Sequence, residues 1–177
     1  SSLQAWIDEA PQLEAIGSIH DYAENRYQAA GLIERIWRKS PTNVPWASSE
    51  DMHSLSLDGL RVGNFPKLPV VTDFSHVREL KLNNMDCKGM ASDFLEHFSG
   101  LTALEMDNNE MAQLPVQLER MPNLRRLSLA RNLLYMTGEN ASVLRSLSSL
   151  EVLNLNDNLL GPLLSFNSHA HLRRVYL

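Results

Sequence analysis

The chain has 177 residues, 44% of them apolar and 21% charged, with a formal net charge of −5. That balance suits one folded domain and excludes a disordered segment, and the acidic excess removes the basic footprint expected of a nucleic-acid binder. No apolar run approaches the ~20 residues of a membrane span, the first residues lack the basic start and apolar core of a signal peptide, and a single cysteine, Cys87, excludes an intramolecular disulfide framework.

Residues 1–50 are predicted to be helical. Leu3, Trp6, Ile7 and Ala10 fall at i, i+3, i+4 and i+7, one face of a short helix. Pro11 either kinks that helix or opens the next one at its first turn, where a missing N–H costs nothing. Ile19, Ala23, Tyr27, Ala30, Ile33 and Trp37 form a longer stripe, and Arg35, Arg38 and Lys39 gather in its last turns, where cations suit the helix dipole. Ser40-Pro41-Thr42-Asn43-Val44-Pro45 then reads as a linker. With seven acidic and four basic residues, the segment hides no basic arm. It reads as a helical cap on the repeats that follow, as the tail of a preceding domain, or as both.

From residue 51 to 177 the chain is repetitive. Leu124–Leu134 reads L-R-R-L-S-L-A-R-N-L-L, which fits the leucine-rich-repeat frame L-x-x-L-x-L-x-x-N-x-L at every fixed position. The same frame begins at Met52, Val77, Leu101, Leu124, Leu150 and Leu172, at spacings of 25, 24, 23, 26 and 22 residues. Asn109, Asn132 and Asn158 hold the polar position in three units, whereas Leu60 and Met85 stand there in the first two. The fold class that follows is α/β: a solenoid of about six leucine-rich repeats, its short strands stacked into a curved parallel sheet. The first, fourth, sixth and last frame positions should point into a shared core. The frame asparagines should bond buried backbone groups along a ladder from repeat to repeat, so they are structural residues.

The connections are predicted to differ. Ser92-Asp93 before Phe94, Leu95 and Phe98 suggests a capped helical turn. Leu114-Pro115 to Met121-Pro122 is too proline-punctuated for a long helix. Thr137 to Leu147 reads as a helix capped by Thr137 with Glu139 in its first turn. Gly161-Pro162 opens a short, irregular connection. The last unit stops at Leu172-Arg-Arg-Val175-Tyr-Leu177 without a closing segment, so the chain is expected to be a piece of something longer. Its terminal strand is expected to favour an edge-strand dimer.

Little in the sequence suggests covalent chemistry or a cofactor. Cys87 sits at the last apolar frame position of its repeat, where a small core residue is wanted. His169-Ala170-His171 has no thiol or carboxylate cluster beside it and reads as two solvated loop residues rather than a metal pair. His20, His53, His76 and His97 are scattered, and there is no glycine loop for phosphate. The sequon Asn140-Ala141-Ser142 reads as chance.

What remains is the concave sheet face, lined by the variable residues of each frame. Its candidate partner-binding residues are Glu79, Lys81, Asn83, Glu105, Asp107, Arg126, Ser128, Arg131, Asn154, Asn156, Arg174 and Tyr176. Six strands ~4.8 Å apart span roughly 24 Å, enough for one side of a standard ~800 Å² interface. An acidic strip (Glu79, Glu105, Asp107) lies beside a basic one (Arg126, Arg131, Arg174), a mixture that suits a protein partner.

The chain resembles large bacterial leucine-rich-repeat effectors that join a dermonecrotic-toxin-like region, repeats, and a novel-type E3 ubiquitin ligase domain. The likeness is carried by Tyr27-Gln-Ala-Ala-Gly-Leu-Ile-Glu-Arg-Ile-Trp37, Leu57-Asp-Gly-Leu-Arg-Val-Gly63, Phe74-Ser-His-Val-Arg-Glu-Leu80, Leu114-Pro115 and the repeats to Leu177. The resemblance implies target-recognition repeats, with the ligase domain outside this chain. It also implies a protein of the bacterial cytoplasm that is secreted and delivered to host cytoplasm; a reducing compartment is what the single cysteine suggests. The family's catalytic cysteine lies in a Cys-x-Asp motif, whereas Cys87 is followed by Lys-Gly, so this chain is expected not to be an enzyme. A structural or autoinhibitory segment contacting its own neighbouring domains is the alternative.

Overall fold

In the computed structural model the described residues are 53–59, 61, 63, 65, 68, 74–90, 93–161 and 169–177. The helical cap and linker expected over 1–50, and the connection after Gly161, lie outside them. Six three-residue strands, β1 (Ser54–Ser56), β2 (Glu79–Lys81), β3 (Ala103–Glu105), β4 (Arg126–Ser128), β5 (Val152–Asn154) and β6 (Arg174–Tyr176), form one sheet in sequence order. Every pairing is parallel, and the central residues Leu55, Leu80, Leu104, Leu127, Leu153 and Val175 lie side by side. This register is the repeat frame itself, each strand centre falling three residues after a predicted repeat start.

Each strand alternates, as a sheet with one covered face must. The central leucines of β1 to β5 are buried, as are the sixth-position residues Leu57, Leu82, Met106, Leu129 and Leu155. Val175 is only half-buried and Leu177 is exposed, at the edge of the sheet.

The asparagine ladder forms as the frame predicts. The Asn109 carbonyl oxygen accepts from the Met85 and Cys87 N–H groups, both at 3.0 Å, and its amide donates to the carbonyls of Leu82 and Met106. Asn132 accepts from Met111 N–H at 3.1 Å and donates to Met106 and Leu129. Asn158 accepts from Leu134 N–H at 3.0 Å and donates to Leu129 and Leu155. Each side chain thus ties its own turn to the preceding one, satisfying groups that would otherwise be buried without partners.

Arg61 and Asp86 are left-handed in the first two turns, and every turn after β1 to β5 also has one such residue at a shared position. It falls on Gly59, Asn84, Asn108, Arg131 and Asp157, the eighth position of each frame, all with φ between 55° and 75°. Glycine, asparagine and aspartate suit that region; arginine carries strain there.

The connections are short. Phe94–Phe98 is a 3-10 helix whose Asp93 makes no side-chain capping bond, so the expected cap is not formed by that residue. Val116–Arg120 is another five-residue 3-10 helix, as the prolines around it require. The only α-helix among the described residues, α1 (Gly138–Ser146), begins where predicted: the Thr137 hydroxyl accepts from Asn140 N–H at 3.0 Å.

A second buried column runs behind the sheet, three residues before each repeat start. There the N–H groups of Val77, Leu101, Leu124, Leu150 and Leu172 donate to the carbonyls of Phe74, Phe98, Met121, Leu147 and His169. At its first end the rings interlock: Phe74 stacks on Phe98 with centroids 4.8 Å apart, and Phe94 lies against both Phe65 and Phe98.

Candidate functional site

The concave face is built by the residues flanking each strand centre. Because the centres point into the core, frame positions three and five must point outward. An open groove of about 380 Å³ crosses β2 to β6, lined by Glu79, Lys81, Glu105, Arg126, Ser128, Asn154, Arg174 and Tyr176 together with Ala103 and Val152. Eight of the twelve residues singled out in the sequence therefore share one groove.

The other four, Asn83, Asp107, Arg131 and Asn156, sit past the strand ends and do different work. Asp58 Oδ1 accepts from Asn83 N–H at 2.8 Å, and Asn83 Oδ1 accepts from Asp107 N–H at 2.6 Å. Asp107 Oδ1 in turn accepts from Ala130 N–H at 2.9 Å and from the Ser128 hydroxyl at 2.6 Å. This is a second ladder, at the seventh frame position, and it commits the Asn83 and Asp107 side chains to holding the turns. Ala130 interrupts it, and Asn156 instead donates its N–H to Asn154 Oδ1 at 3.0 Å. The seventh-position column Asp58, Asn83, Asp107 was visible once the repeats were aligned.

The charges on the groove separate into two zones. On the first half, Lys81 Nζ lies 3.7 Å from Glu79 and 3.6 Å from Glu105, so the acidic residues share one cation across two strands. Ser54 adds a hydroxyl to Glu79 at 3.3 Å. On the second half, Arg126 and Arg174 are exposed at the same frame position, two strands apart, with Val152 between them. Neither has an ion-pair partner among the described residues. Arg131, the third member of the predicted basic strip, lies beyond the strand end and pairs loosely with Asp157 at 3.9 Å.

Away from the groove, the remaining chemistry-bearing side chains are structural. Cys87 is fully buried at its frame position. Its thiol donates to the Gly89 carbonyl at 3.1 Å, and burial pushes its pKa up to about 11 despite the backbone hydrogen bonds that oppose the shift. A thiol so held is protonated at neutral pH, the opposite of an activated nucleophile.

His169 departs from the expected solvated loop. It is buried, with Nε2 2.5 Å from the Leu144 carbonyl in the last turn of α1. The reason is register: it occupies the column of Phe74, Phe98, Met121 and Leu147, a position that aligning residues before each repeat start would have revealed. His171 is exposed, as expected.

Asn140 is likewise claimed by the fold. Its Oδ1 accepts from Leu114 N–H at 2.9 Å and its amide donates to Ala112 and Tyr135. With both amide hydrogens engaged and the residue buried, the sequon is not presented for glycosylation in the folded state.

No protein-family model matches the chain, and no curated protein matches it either. Among solved structures, an internalin from Listeria monocytogenes str. 4b F2365 is similar at 20% identity, with a TM-score of 0.60 over 95% of this chain. The match spans 45% of that internalin's length. Internalin C2 from the same organism covers 84% of this chain and 91% of its own at 15% identity and a TM-score of 0.44. A pollen receptor kinase 3 covers 98% of this chain and 91% of its own at 16% identity and a TM-score of 0.42. The first likeness and the six-stranded register agree: the chain is a leucine-rich-repeat solenoid.

Proposed function

We propose that this chain is a protein-binding module that holds its partner non-covalently on the concave sheet face. One observation carries the reading. The variable residues of five successive strands gather into one groove, while the fixed residues of the same repeats are consumed by core and ladders. A surface of that length matches one side of an ordinary protein interface, and its two signs of charge would fix partner choice and orientation more than raw affinity.

The wider setting belongs to the same proposal. The helix and junction motifs quoted above support target-recognition repeats of a large bacterial effector that works in host cytoplasm, with an E3 ubiquitin ligase domain outside this chain. In that arrangement the buried Cys87 has no catalytic part. The partner is a host protein, brought close to the ligase by the repeats.

The test is capture of host proteins by the chain and by the triple variant Arg126→Glu, Arg131→Glu, Glu105→Arg. All three side chains are exposed or half-exposed, so the variant should fold as the parent does. Loss of a specific captured protein supports the reading. Capture that is equal in both sinks it. A triple variant that captures normally but changes the activity of the full-length protein would point instead to contacts with neighbouring domains.

A further inference from the structure

We infer that the second half of the concave groove, around Arg126 and Arg174, receives an acidic segment of the partner protein through its carboxylate side chains. This rests on the concave-face reading above and narrows it to one end of the groove and one chemistry.

Three observations carry it. The Glu79–Lys81–Glu105 cluster sets one cation against two carboxylates and keeps a net negative charge, so it does not attract an acidic segment. Arg126 and Arg174, in contrast, stand at equivalent positions on β4 and β6 without an ion-pair partner among the described residues. Two strand spacings separate them, ~10 Å, a distance the long guanidinium side chains can bridge toward neighbouring carboxylates. Finally, the groove floor between them is Val152, flanked by Asn154 and by Tyr176, which is 44% exposed. An aromatic with a hydroxyl beside two arginines is the residue set enriched where protein interfaces concentrate their binding energy. Arginine forks also match planar carboxylates, two N–H groups to two oxygens.

A nucleic acid would also be drawn to arginine. The acidic residues on β2 and β3, next to β4, and the chain's formal net charge of −5 oppose a polyanion with a continuous backbone, whereas a short acidic segment can engage one end only.

The experiment uses a fluorescent, end-blocked octapeptide of alternating Glu and Asp, its Gln/Asn isostere, and a single-stranded oligonucleotide of equal charge. The expected result is binding of the acidic peptide alone, weakening as salt rises. Arg126→Ala and Arg174→Ala should each weaken it ~2–5-fold, and the double reversal Arg126→Glu/Arg174→Glu more than ~10-fold. Lys81→Ala, which frees two carboxylates on the other half, should change it less than either arginine variant. No peptide binding, equal binding of the isostere, tighter binding of the oligonucleotide, or indifference to the double reversal each overturns the inference. If a captured host protein is lost on reversal of Glu79 and Glu105 but retained by the arginine double variant, the acidic-segment inference fails while the concave-face reading stands.

Discussion

The first three repeats and the last three share one frame and one register, yet they finish their surfaces differently. In the first half, three cations are paired within the molecule: Arg61 with Asp86, Lys88 with Glu110, and Lys81 between Glu79 and Glu105. In the second half, the tenth frame position that held Arg61, Asp86 and Glu110 holds Leu133 and Leu159, which are 47% and 61% exposed, and Tyr135 is exposed nearby. Arg126 and Arg174 there have no ion-pair partner among the described residues. The buried column changes too, from stacked phenylalanines to Met121, Leu147 and His169. The lesson is that the frame dictates fold without dictating surface. The first half pairs these cations with carboxylates, and the second leaves Arg126, Arg174 and apolar side chains exposed.

The sharpest way to break this contrast is through the buried column. Phe98→Ala removes a ring that packs against both Phe74 and Phe94, and should cost ~3–5 kcal/mol by cavity formation. His169→Ala at the equivalent position loses one hydrogen bond to the Leu144 carbonyl and a smaller volume, and should cost ~1–3 kcal/mol. Urea unfolding of both variants checks the order. Equal costs would mean that the column is energetically uniform and that the aromatic end has no special part in stability.

Cys87 gives the first half a pH signature. Its pKa rises from 9.0 to about 11 on burial. A raised folded pKa means that its contribution to stability is fully present below pH 9. As pH climbs from 9 toward 11, the unfolded thiol ionises first and stability falls, by ~1.4 kcal/mol for each pH unit. Cys87→Val should remove that part of the decline. Chemical unfolding of both proteins between pH 8 and about pH 11 measures the difference. Parallel profiles would rule the thiol out as the cause.

The ladder offers a finer comparison. Asn109 satisfies two buried N–H groups, those of Met85 and Cys87. Asn158 accepts from one N–H, that of Leu134, at a half-buried site. Alanine at either position should cost ~1–3 kcal/mol, with Asn109 at the upper end. Thermal unfolding of the pair should rank them, and a larger loss at Asn158 would contradict the bookkeeping of buried donors.

These contrasts also mark what the sequence could and could not reveal. Leu55 through Val175 and the three frame asparagines were readable because a repeated period ties identity to direction: a residue at a fixed offset must face the core or the turn. His169 reads from its local sequence as a solvated loop residue, whereas its environment is set by a column of residues more than twenty positions apart. Asn83 and Asp107 were legible as concave residues, yet their commitment to a ladder depends on backbone groups one repeat away. The paired and open halves of the groove depend on side-chain reach as well as on register: Lys81 meets Glu105 across the sheet, and Arg126 pairs with neither glutamate.

The smallest predicted effect lies where the frame and the surface disagree most directly, at Arg131. Its φ of 56° places it in the left-handed region that Gly59, Asn84, Asn108 and Asp157 occupy at the same turn. Such a conformation costs a non-glycine residue ~1–2 kcal/mol, less for asparagine, whose short polar side chain bonds locally. Against this stands the Arg131–Asp157 pair, 3.9 Å apart with side chains 70% and 75% exposed, a geometry in which ion pairs contribute little. The backbone term is the larger. Arg131→Asn should therefore stabilise the chain by up to ~1 kcal/mol, read as a rise in the unfolding midpoint with an unchanged denaturant slope. Binding of the acidic peptide should hardly change, because Arg131 lies beyond the groove that Arg126 and Arg174 line. A loss of stability would mean that the ion pair outweighs the turn. A loss of peptide binding would extend the open half of the groove past the strand ends.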